Sequence, residues 1–553
     1  MNVARYILRR LAEHGVDVLF GIPGTSCAAF FDEAGGEGFR TVLTSSELEA
    51  GYAADGYARH RGLSLVSVSN GVGTLSLVNA VAGAYAERSA VVLVNGGASP
   101  RELWTERHRG VLFSHSTGRP FTDLEVFRQV TAFAARAESA ADAPALIDRA
   151  VTTALREQRP VYIEIPRDLW KTACGEPAGP LDPRRTPVGS EEALAARIAG
   201  LAGAAVRPAF LVGVEVGRYG LEEDMAELLR RTGIPWASTL LAKTVLAEDT
   251  TGFVGVYDSD LAPKPVRAVI EDADLLIAVG CVFGVDHTHL VNHAFEHLVH
   301  AAEGFVRIGD APAERGELQP LLRALAAALP PAPEKAADAW LGTGAKTYDA
   351  RRRWTTAVAS DGLTHEELFT AIDARLSQGW AVVIDTCLGS YPAADLAVRG
   401  AKTFVGNPVW LSIGHSVGAS VGFALASKKP VLVVCGDGGF QMVAQAMSTL
   451  AKYALDITVV VIDNGLYAIE QYLIDPLFFS NPKHPELPYV GLNRWDYAAL
   501  ARSMGVPSTH TVQSRDGFEG ALDAALAKGG PSLIAVRVEQ RDLPPENRTT
   551  PTL

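Results

Sequence analysis

The chain has 553 residues, of which 48% are hydrophobic and 20% charged, and its formal net charge is −13. A chain of this length is too long for one hydrophobic core and predicts about three domains. The negative net charge argues against a surface that binds nucleic acid or anionic membrane, because such surfaces need clustered Lys and Arg.

The cysteine pattern and the first residues indicate a cytoplasmic protein. Residues 1–15 place Val3, Ile7 and Leu11 on one helical face, which predicts an amphipathic helix and not a signal peptide. No apolar run is long enough to span a bilayer. The cysteines are odd in number and form no CxxC pair, so we expect reduced thiols. They are Cys27, Cys174, Cys281, Cys387 and Cys435.

Residues 1–175 alternate strand-like and helix-like segments, from VDVLFGIPG through LSLVSVS and SAVVLVNGGAS to PVYIEIPRD. This βαβ rhythm predicts a doubly wound parallel sheet. A connector rich in Pro and charge (172–191) leads to a second α/β unit at 192–330. Its predicted strands are PAFLVGVEV, GIPWASTLL, ADLLIAVGCVF and FVRIGDAP.

A linker rich in Pro and Ala at 329–340 precedes a third unit at 355–543. The first and third units share a similar order of strands and helices, which indicates distant copies of one domain. The predicted fold class is therefore α/β, with three doubly wound parallel-sheet domains at 1–175, 192–330 and 355–543.

Two polar turns give weaker signals. The GVGTLS turn at 71–76 lacks the third glycine of a dinucleotide fingerprint, so we expect a closely packed helix start there. Asp286, His287 and His289 lie in one polar turn, and we interpret them as surface residues and not as a metal site.

The stretch from Val431 to Glu470 carries the strongest signal. A buried strand runs into Gly436-Asp437-Gly438, and a second one runs into Asp463-Asn464. In a parallel sheet Asp437 and Asn464 would then end adjacent strands, where open α/β sheets bind ligands. Carboxylate and amide oxygens suit Mg²⁺, and the glycines allow close approach of a diphosphate.

This stretch resembles the motif of thiamine diphosphate (ThDP) enzymes, Gly-Asp-Gly followed some two dozen residues later by Asn. Over most of its length the chain is similar to the pyruvate and indolepyruvate decarboxylases of that family. The resemblance implies an N-terminal pyrimidine-binding domain, a central domain and a C-terminal diphosphate-binding domain. It also implies ThDP and Mg²⁺ as cofactors.

The segment SELEAGYAADGYAR is similar to the family segment that bears the catalytic glutamate, which falls on Glu47. Tyr467-Ala468-Ile469-Glu470 resembles the family's Tyr-x-Ile-Glu, so the second catalytic acid falls on Glu470. Asp437, Asn464 and the Leu466 carbonyl would bind Mg²⁺. The implied cofactor-binding residues are Thr386, Leu388, Leu411, Ile413, Gly436, Asp437, Gly438, Gly439, Asn464, Leu466, Tyr467, Ala468 and Ile469.

Among these, Ile413 would wedge between the two cofactor rings, and the Leu411 carbonyl would contact the aminopyrimidine. Gly439 replaces a diphosphate-binding serine. The chain also departs from the family at two catalytic positions: Thr25 stands where an aspartate is usual, and Ser114-His115 replaces a His-His pair. His115 is the remaining imidazole, and Thr25 and Ser114 would hydrogen-bond in the substrate pocket.

The resemblance implies non-oxidative decarboxylation of a 2-oxo acid through an enamine intermediate. An acyloin-forming carboligase is the alternative, because weaker proton relay would prolong the enamine. A catalytically silent ThDP-fold protein and an NAD-dependent oxidoreductase are less well supported. We expect a homo-oligomer (a dimer or a dimer of dimers) in which Glu47 and Glu470 meet across subunits, a small-molecule substrate with a possible carbonyl acceptor, and no nucleic-acid or membrane partner.

Overall fold

The computed structural model describes residues 1–330 and 363–548, except residues 184, 186, 188, 294, 377 and 378. The described residues form three six-stranded sheets, one in each predicted range. The N-terminal sheet contains β1 (Val18–Gly21), β2 (Arg40–Leu43), β3 (Ser64–Ser67), β4 (Val91–Gly97), β5 (Phe133–Arg136) and β6 (Val161–Pro166). The central sheet contains β7 (Pro208–Val212), β8 (Trp236–Thr239), β9 (Phe253–Tyr257), β10 (Leu275–Val279), β11 (Leu298–Ala302) and β12 (Phe305–Ile308). The C-terminal sheet contains β13 (Ala381–Ile384), β14 (Phe404–Val405), β15 (Val431–Gly436), β16 (Ile457–Asp463), β17 (Ser508–Val512) and β18 (Ser532–Arg537).

Helices flank all three sheets. Those of the N-terminal range are Val3–Ala12, Ala28–Gly36, Glu47–Arg61, Val72–Ser76, Val78–Ala86, Pro100–Arg109, Thr122–Phe127 and Ala143–Glu157. Those of the central range are Glu191–Ala204, Glu215–Arg218, Glu222–Thr232, Lys264–Glu271, Thr288–His293 and Leu318–Ala328, with 3₁₀ turns at Leu240–Ala242, Val285–His287 and Phe295–His297. Those of the C-terminal range are His365–Asp373, Ser390–Ala393, His415–Ser427, Asp437–Val443, Ala446–Lys452, Ala468–Ile474, Leu477–Ser480, Tyr497–Ser503, Arg515–Lys528 and Pro545–Arg548.

The sheet topology confirms the predicted fold class. The N-terminal order β2-β1-β3-β4-β6-β5 recurs in the C-terminal sheet as β14-β13-β15-β16-β18-β17, which supports the idea of distant copies. The central order is β12-β11-β10-β7-β8-β9. Neighbouring strands pair in parallel except β11 and β12, so the predicted strand FVRIGDAP is an antiparallel edge. In the central sheet β9 and β11 were not predicted, because Gly255 interrupts the apolar pattern of β9 and His300 interrupts that of β11.

The helices Glu47–Arg61 and His415–Ser427 join the first and third units. Both carry small residues along their contact, and both are buried over most of their length. A Cβ built on Gly422 would collide with the backbone oxygen of Ala53, so only glycine permits this close approach. The packing sets the position of Glu47 relative to the C-terminal unit.

A buried ionic network surrounds this helix pair. The Arg59 guanidinium donates to Asp55 Oδ2 at 2.9 Å and to Glu87 Oε2 at 2.6 Å. His415 Nε2 lies 2.6 Å from the same Asp55 oxygen. Because these groups are buried, the two carboxylates and the guanidinium need these partners.

Glu87 also holds the chain between β14 and the helix His415–Ser427. Its Oε1 accepts from the backbone N–H groups of Val409 at 2.8 Å and Trp410 at 3.0 Å. The loop that carries Leu411 and Ile413 is thus attached to the N-terminal unit.

Some predictions fall outside these elements. Most of the linker at 329–340 and the start of the third unit at 355–362 lie outside the described residues, and the exact domain boundaries stay predictions. The prediction that Asp286, His287 and His289 are surface residues is wrong for His287, whose side chain is buried with 7% of the residue exposed. None of the helices in the described ranges is long and apolar enough to cross a membrane.

Candidate active site

A cleft of about 410 Å³ lies at the carboxyl edge of the C-terminal sheet. The turns after β13, β15 and β16 and the loop after β14 line it. This is the edge at which parallel α/β sheets bind ligands. The lining residues are His365, Thr386, Cys387, Leu388, Gly389, Ile413, Gly436, Asp437, Gly438, Gly439, Ile462, Asn464, Leu466, Tyr467, Ala468 and Ile469.

Asp437 lies at the edge of β15, and Gly436 pairs with Ile462 of the adjacent β16. The side chain is buried, and its oxygens accept from the backbone N–H of Gly438 at 2.9 Å and of Gly465 at 2.6 Å. Burial raises the pKa of Asp437 to about 7, although the two hydrogen bonds oppose this. A buried carboxylate of this kind calls for a cation.

Asn464 directly follows the adjacent strand, and its Oδ1 accepts from the Leu466 backbone N–H at 3.1 Å. Arg494 Nη2 donates to the Asn464 carbonyl at 3.0 Å and so holds the turn. The structure therefore brings Asp437, Asn464 and Leu466 into one cleft, as the sequence predicted.

These groups fit a magnesium ion and a diphosphate. They offer a carboxylate, an amide oxygen and a carbonyl, which are the hard oxygen ligands that Mg²⁺ takes. In the part of the chain that the structure describes, the hydrogen bonds to the Asp437 carboxylate all come from backbone N–H groups. Among all the residues that the structure describes, no three or more His, Cys, Asp or Glu side chains form a cluster that could hold a metal.

Ile413 projects into the cleft at the end of a tightly held loop. Leu411, two residues earlier, has φ +60°, the left-handed region that L-residues other than Asn and Asp rarely adopt. The Leu411 N–H donates to the Asn407 carbonyl at 3.1 Å. Ile413 lines the cleft, whereas Leu411 does not, and the predicted contact of its carbonyl with the cofactor stays a prediction.

Asp385 is a buried carboxylate behind the cleft-lining Gly439 that the sequence did not reveal. It directly follows β13 and is 1% exposed, and the Gly414 backbone N–H donates to it at 2.9 Å. Burial raises its pKa to about 6. A Cβ built on Gly439 would collide with Asp385 Oδ2, so this carboxylate takes the room of the serine side chain that the family carries. The position of Asp385 between a strand end and Thr386 was a possible signal.

His365 is the second residue missed by the sequence analysis. It starts the helix His365–Asp373, which Thr364 caps together with Glu367. Nothing in the sequence placed the start of this helix in the cleft of Asp437.

Glu47 begins the helix Glu47–Arg61 behind the N-cap Ser46, whose Oγ accepts from the Glu49 N–H at 3.2 Å. A Cβ built on Gly73 would lie 3.4 Å from Glu47 Oε1, so the carboxyl group is next to the turn after β3. Glu47 is half-buried. It belongs to the carboxyl edge of the N-terminal sheet.

The other predicted N-terminal site residues gather at the same edge. Ser69 Oγ lies 3.4 Å from His115 Nδ1, and its side chain packs against Gly24, which precedes Thr25. Asn70 Nδ2 donates to the Ser114 carbonyl at 3.3 Å. Thr25, Ser114 and His115 are all exposed. His115 also lines a separate cleft of about 400 Å³.

The predicted site residues therefore fall into two separate groups in the single chain, which we call the N-terminal and C-terminal half-sites. Glu47, Thr25, Ser114 and His115 do not line the cleft of Asp437. Glu470 is in the helix Ala468–Ile474 beside that cleft, but its side chain is exposed and does not line it.

Comparison with known proteins places all three units. Residues 1–111 match the N-terminal TPP binding domain of thiamine pyrophosphate enzymes. Residues 195–328 match the central domain, and residues 387–536 match the C-terminal TPP binding domain.

Full-length relatives carry related names. The chain is 30% identical to an indole-3-pyruvate decarboxylase of Azospirillum brasilense, over 96% of this chain and 94% of that protein. It is 30% identical to an alpha-keto-acid decarboxylase of Mycobacterium leprae, over 98% of this chain and 94% of that protein. It is 31% identical to the alpha-keto-acid decarboxylase of Mycobacterium tuberculosis strain H37Rv, over 95% of this chain and 91% of that protein. The chain therefore belongs to the family of thiamine diphosphate-dependent 2-oxo acid decarboxylases.

Proposed function

We propose that this chain is a ThDP- and Mg²⁺-dependent enzyme that releases CO₂ non-oxidatively from a 2-oxo acid. The observation that carries the proposal is the buried Asp437 carboxylate, which lines the same cleft as Asn464 at the carboxyl edge of the C-terminal sheet. The names of the full-length relatives support the same reaction and favour it over acyloin-forming carboligation.

Each residue of the C-terminal cleft would have a binding role. Asp437, Asn464 and the Leu466 carbonyl would hold Mg²⁺, which shares its shell with phosphate oxygens. Ile413 would keep the cofactor bent, and the Leu411 carbonyl would accept from its aminopyrimidine. Bound ThDP supplies an electron sink for the charge left on the carbonyl carbon when CO₂ departs.

The N-terminal half-site would supply the proton chemistry. Glu47 would hold a proton at the pyrimidine ring nitrogen of the cofactor. His115, together with Glu470, would give and take protons next to the reacting carbon. The hydroxyls of Thr25 and Ser114 would hydrogen-bond the substrate, because they cannot relay protons as an aspartate and an imidazole do.

The division into half-sites supports an assembly in which each chain completes the site of another. Apolar side chains are exposed near both halves: Trp104 is 53% exposed, Leu112 58%, Leu473 55% and Ile474 54%. Exposed apolar surface of this kind is typical of subunit contacts. We therefore propose a dimer of twofold symmetry or a dimer of such dimers.

The substrate pocket would be apolar. Ile469 lines the cleft, and Leu473 follows one helical turn later. Both favour an aromatic or branched 2-oxo acid over pyruvate.

The test is cofactor binding and CO₂ release by the purified full-length chain. We expect ThDP to bind only with Mg²⁺ and CO₂ to appear from aromatic or branched 2-oxo acids. Glu47→Gln should keep ThDP affinity but slow deuterium exchange at the thiazolium carbon at least ~100-fold. Absence of ThDP binding, or binding without CO₂ release from any 2-oxo acid, would refute the proposal.

A further inference from the structure

His365 combines a buried ion-pair partner with a place in the cofactor cleft. Its side chain is 1% exposed, and Nδ1 donates to Asp542 Oδ2 at 2.8 Å. The backbone N–H of His365 donates to the same oxygen at 2.7 Å. Because Nδ1 is engaged and His365 lines the cleft, Nε2 is the ring nitrogen left for a partner there.

The C-terminal segment holds Asp542 in place from several sides. Arg548 Nη2 donates to Asp542 Oδ1 at 3.1 Å, and Arg548 Nη1 donates to Glu366 Oε2 at 3.2 Å. Arg541 donates to the carbonyls of Phe478, Asn481 and His484. The Asp542 carboxylate therefore orients the His365 ring, and Arg548 in turn holds that carboxylate in position.

The segment also locates His365 along the sheet. Leu363 forms a bridge with Val538, directly after β18, and β18 pairs with β16. The turn that carries Asn464 follows β16. His365 thus approaches the cleft from the side of the predicted metal ligands.

Charge points to what His365 would bind. Among the residues that line the cleft, His365 is the one whose side chain can become cationic. The other acidic or basic lining groups are Asp437, Cys387 and Tyr467, none of which can be positive. A diphosphate carries more negative charge than one Mg²⁺ neutralises, so a further cation in this cleft would be stabilising.

We propose that His365, held by Asp542, donates from Nε2 to the diphosphate of ThDP. An imidazolium donates from both nitrogens, so the carboxylate on one side and the phosphate on the other would both be satisfied. The proposal rests on the proposed function, since it needs ThDP in this cleft. It adds to the metal ligands a binding residue located more than 70 positions earlier in the chain.

Cofactor affinity of the full-length apo-protein tests this. Dissociation constants for ThDP with Mg²⁺ and for thiamine, which lacks phosphate, are measured by titration calorimetry or fluorescence quenching. His365→Gln keeps a hydrogen-bonding side chain without the charge. A charge-assisted hydrogen bond corresponds to roughly 10- to 100-fold in affinity, so the ThDP constant should rise by that factor while the thiamine constant stays unchanged. Asp542→Asn should weaken ThDP binding in the same direction but less.

The matched control is His484→Gln. His484 also pairs with an aspartate, since Nε2 donates to Asp475 Oδ2 at 2.6 Å, but it does not line the cleft. This variant should keep wild-type affinity for both ligands.

Three outcomes would overturn the inference. An unchanged ThDP constant in His365→Gln would exclude the contact. Equal loss for ThDP and thiamine would assign His365 a structural role only. Unchanged ThDP affinity with a raised KM for the 2-oxo acid would move the contact to the substrate. Wild-type protein that fails to bind ThDP would instead refute the proposed function.

Discussion

Glu49 allows a stability prediction with a defined pH dependence. Its side chain is fully buried two residues after Glu47, Ser45 N–H donates to its Oε2 at 2.8 Å, and its Oε1 has no hydrogen-bond partner among the described residues. Burial outweighs the hydrogen bonds from Thr449, Ser45 and Ser46 and raises the pKa of Glu49 from 4.5 to about 7.

The direction in which stability changes with pH follows from the different proton affinities of Glu49 in the folded and unfolded chain. The folded chain holds this proton more tightly than the unfolded chain, so ionisation costs stability as pH rises from about 4.5 to about 7, and the full cost remains above that. At about 1.4 kcal/mol per pH unit, the full cost is roughly 3 kcal/mol. Gln at position 49 is neutral at every pH and of similar shape. Glu49→Gln should therefore be more stable than wild type by about 1 kcal/mol at pH 5 and about 3 kcal/mol at pH 8.

The assay is thermal unfolding of the cofactor-free chain by scanning calorimetry at pH 5, 6, 7 and 8. Removing the cofactor keeps its binding free energy out of the comparison. The control is Glu125→Gln, because the Glu125 side chain is 61% exposed and its stability difference should stay near zero at each pH. A Glu49→Gln advantage that does not grow with pH, or a variant less stable than wild type at pH 8, would refute the reasoning.

Three glycine or loop positions give further predictions. Gly422→Ala should lower the thermal midpoint, by a free-energy cost of at least about 2 kcal/mol, because the new Cβ meets the Ala53 backbone; an unchanged midpoint would contradict the packing. Gly439→Ser should weaken ThDP affinity in titrations, because its side chain would displace the Asp385 carboxylate; improved affinity would speak against this. Leu411→Gly should raise stability by about 1 kcal/mol in the same calorimetric assay, because it relieves the left-handed conformation of a side chain that is 47% exposed; a loss of stability would show that the side chain matters more than the strain.

Local sequence patterns were sufficient for the fold class and for placing Asp437 and Asn464 in one cleft. Buried strands and helices alternate with clear periodicity, so three α/β sheets could be predicted. Asp437 and Asn464 could be paired because only a short helical crossover and one strand separate them, and such a crossover places consecutive parallel strands side by side. The match to a family motif added Glu47, Ile413 and Glu470.

Contacts between distant parts of the chain were decided by tertiary structure alone. Asp385 meets Gly439, and His365 meets Asp542, across separations that no periodic pattern encodes. The raised pKa of Glu49 likewise depends on burial, which outweighs the hydrogen bond from Thr449 of the third unit. Such effects depend on which side chains share a buried space, and that space exists only after the sheets and helices have packed.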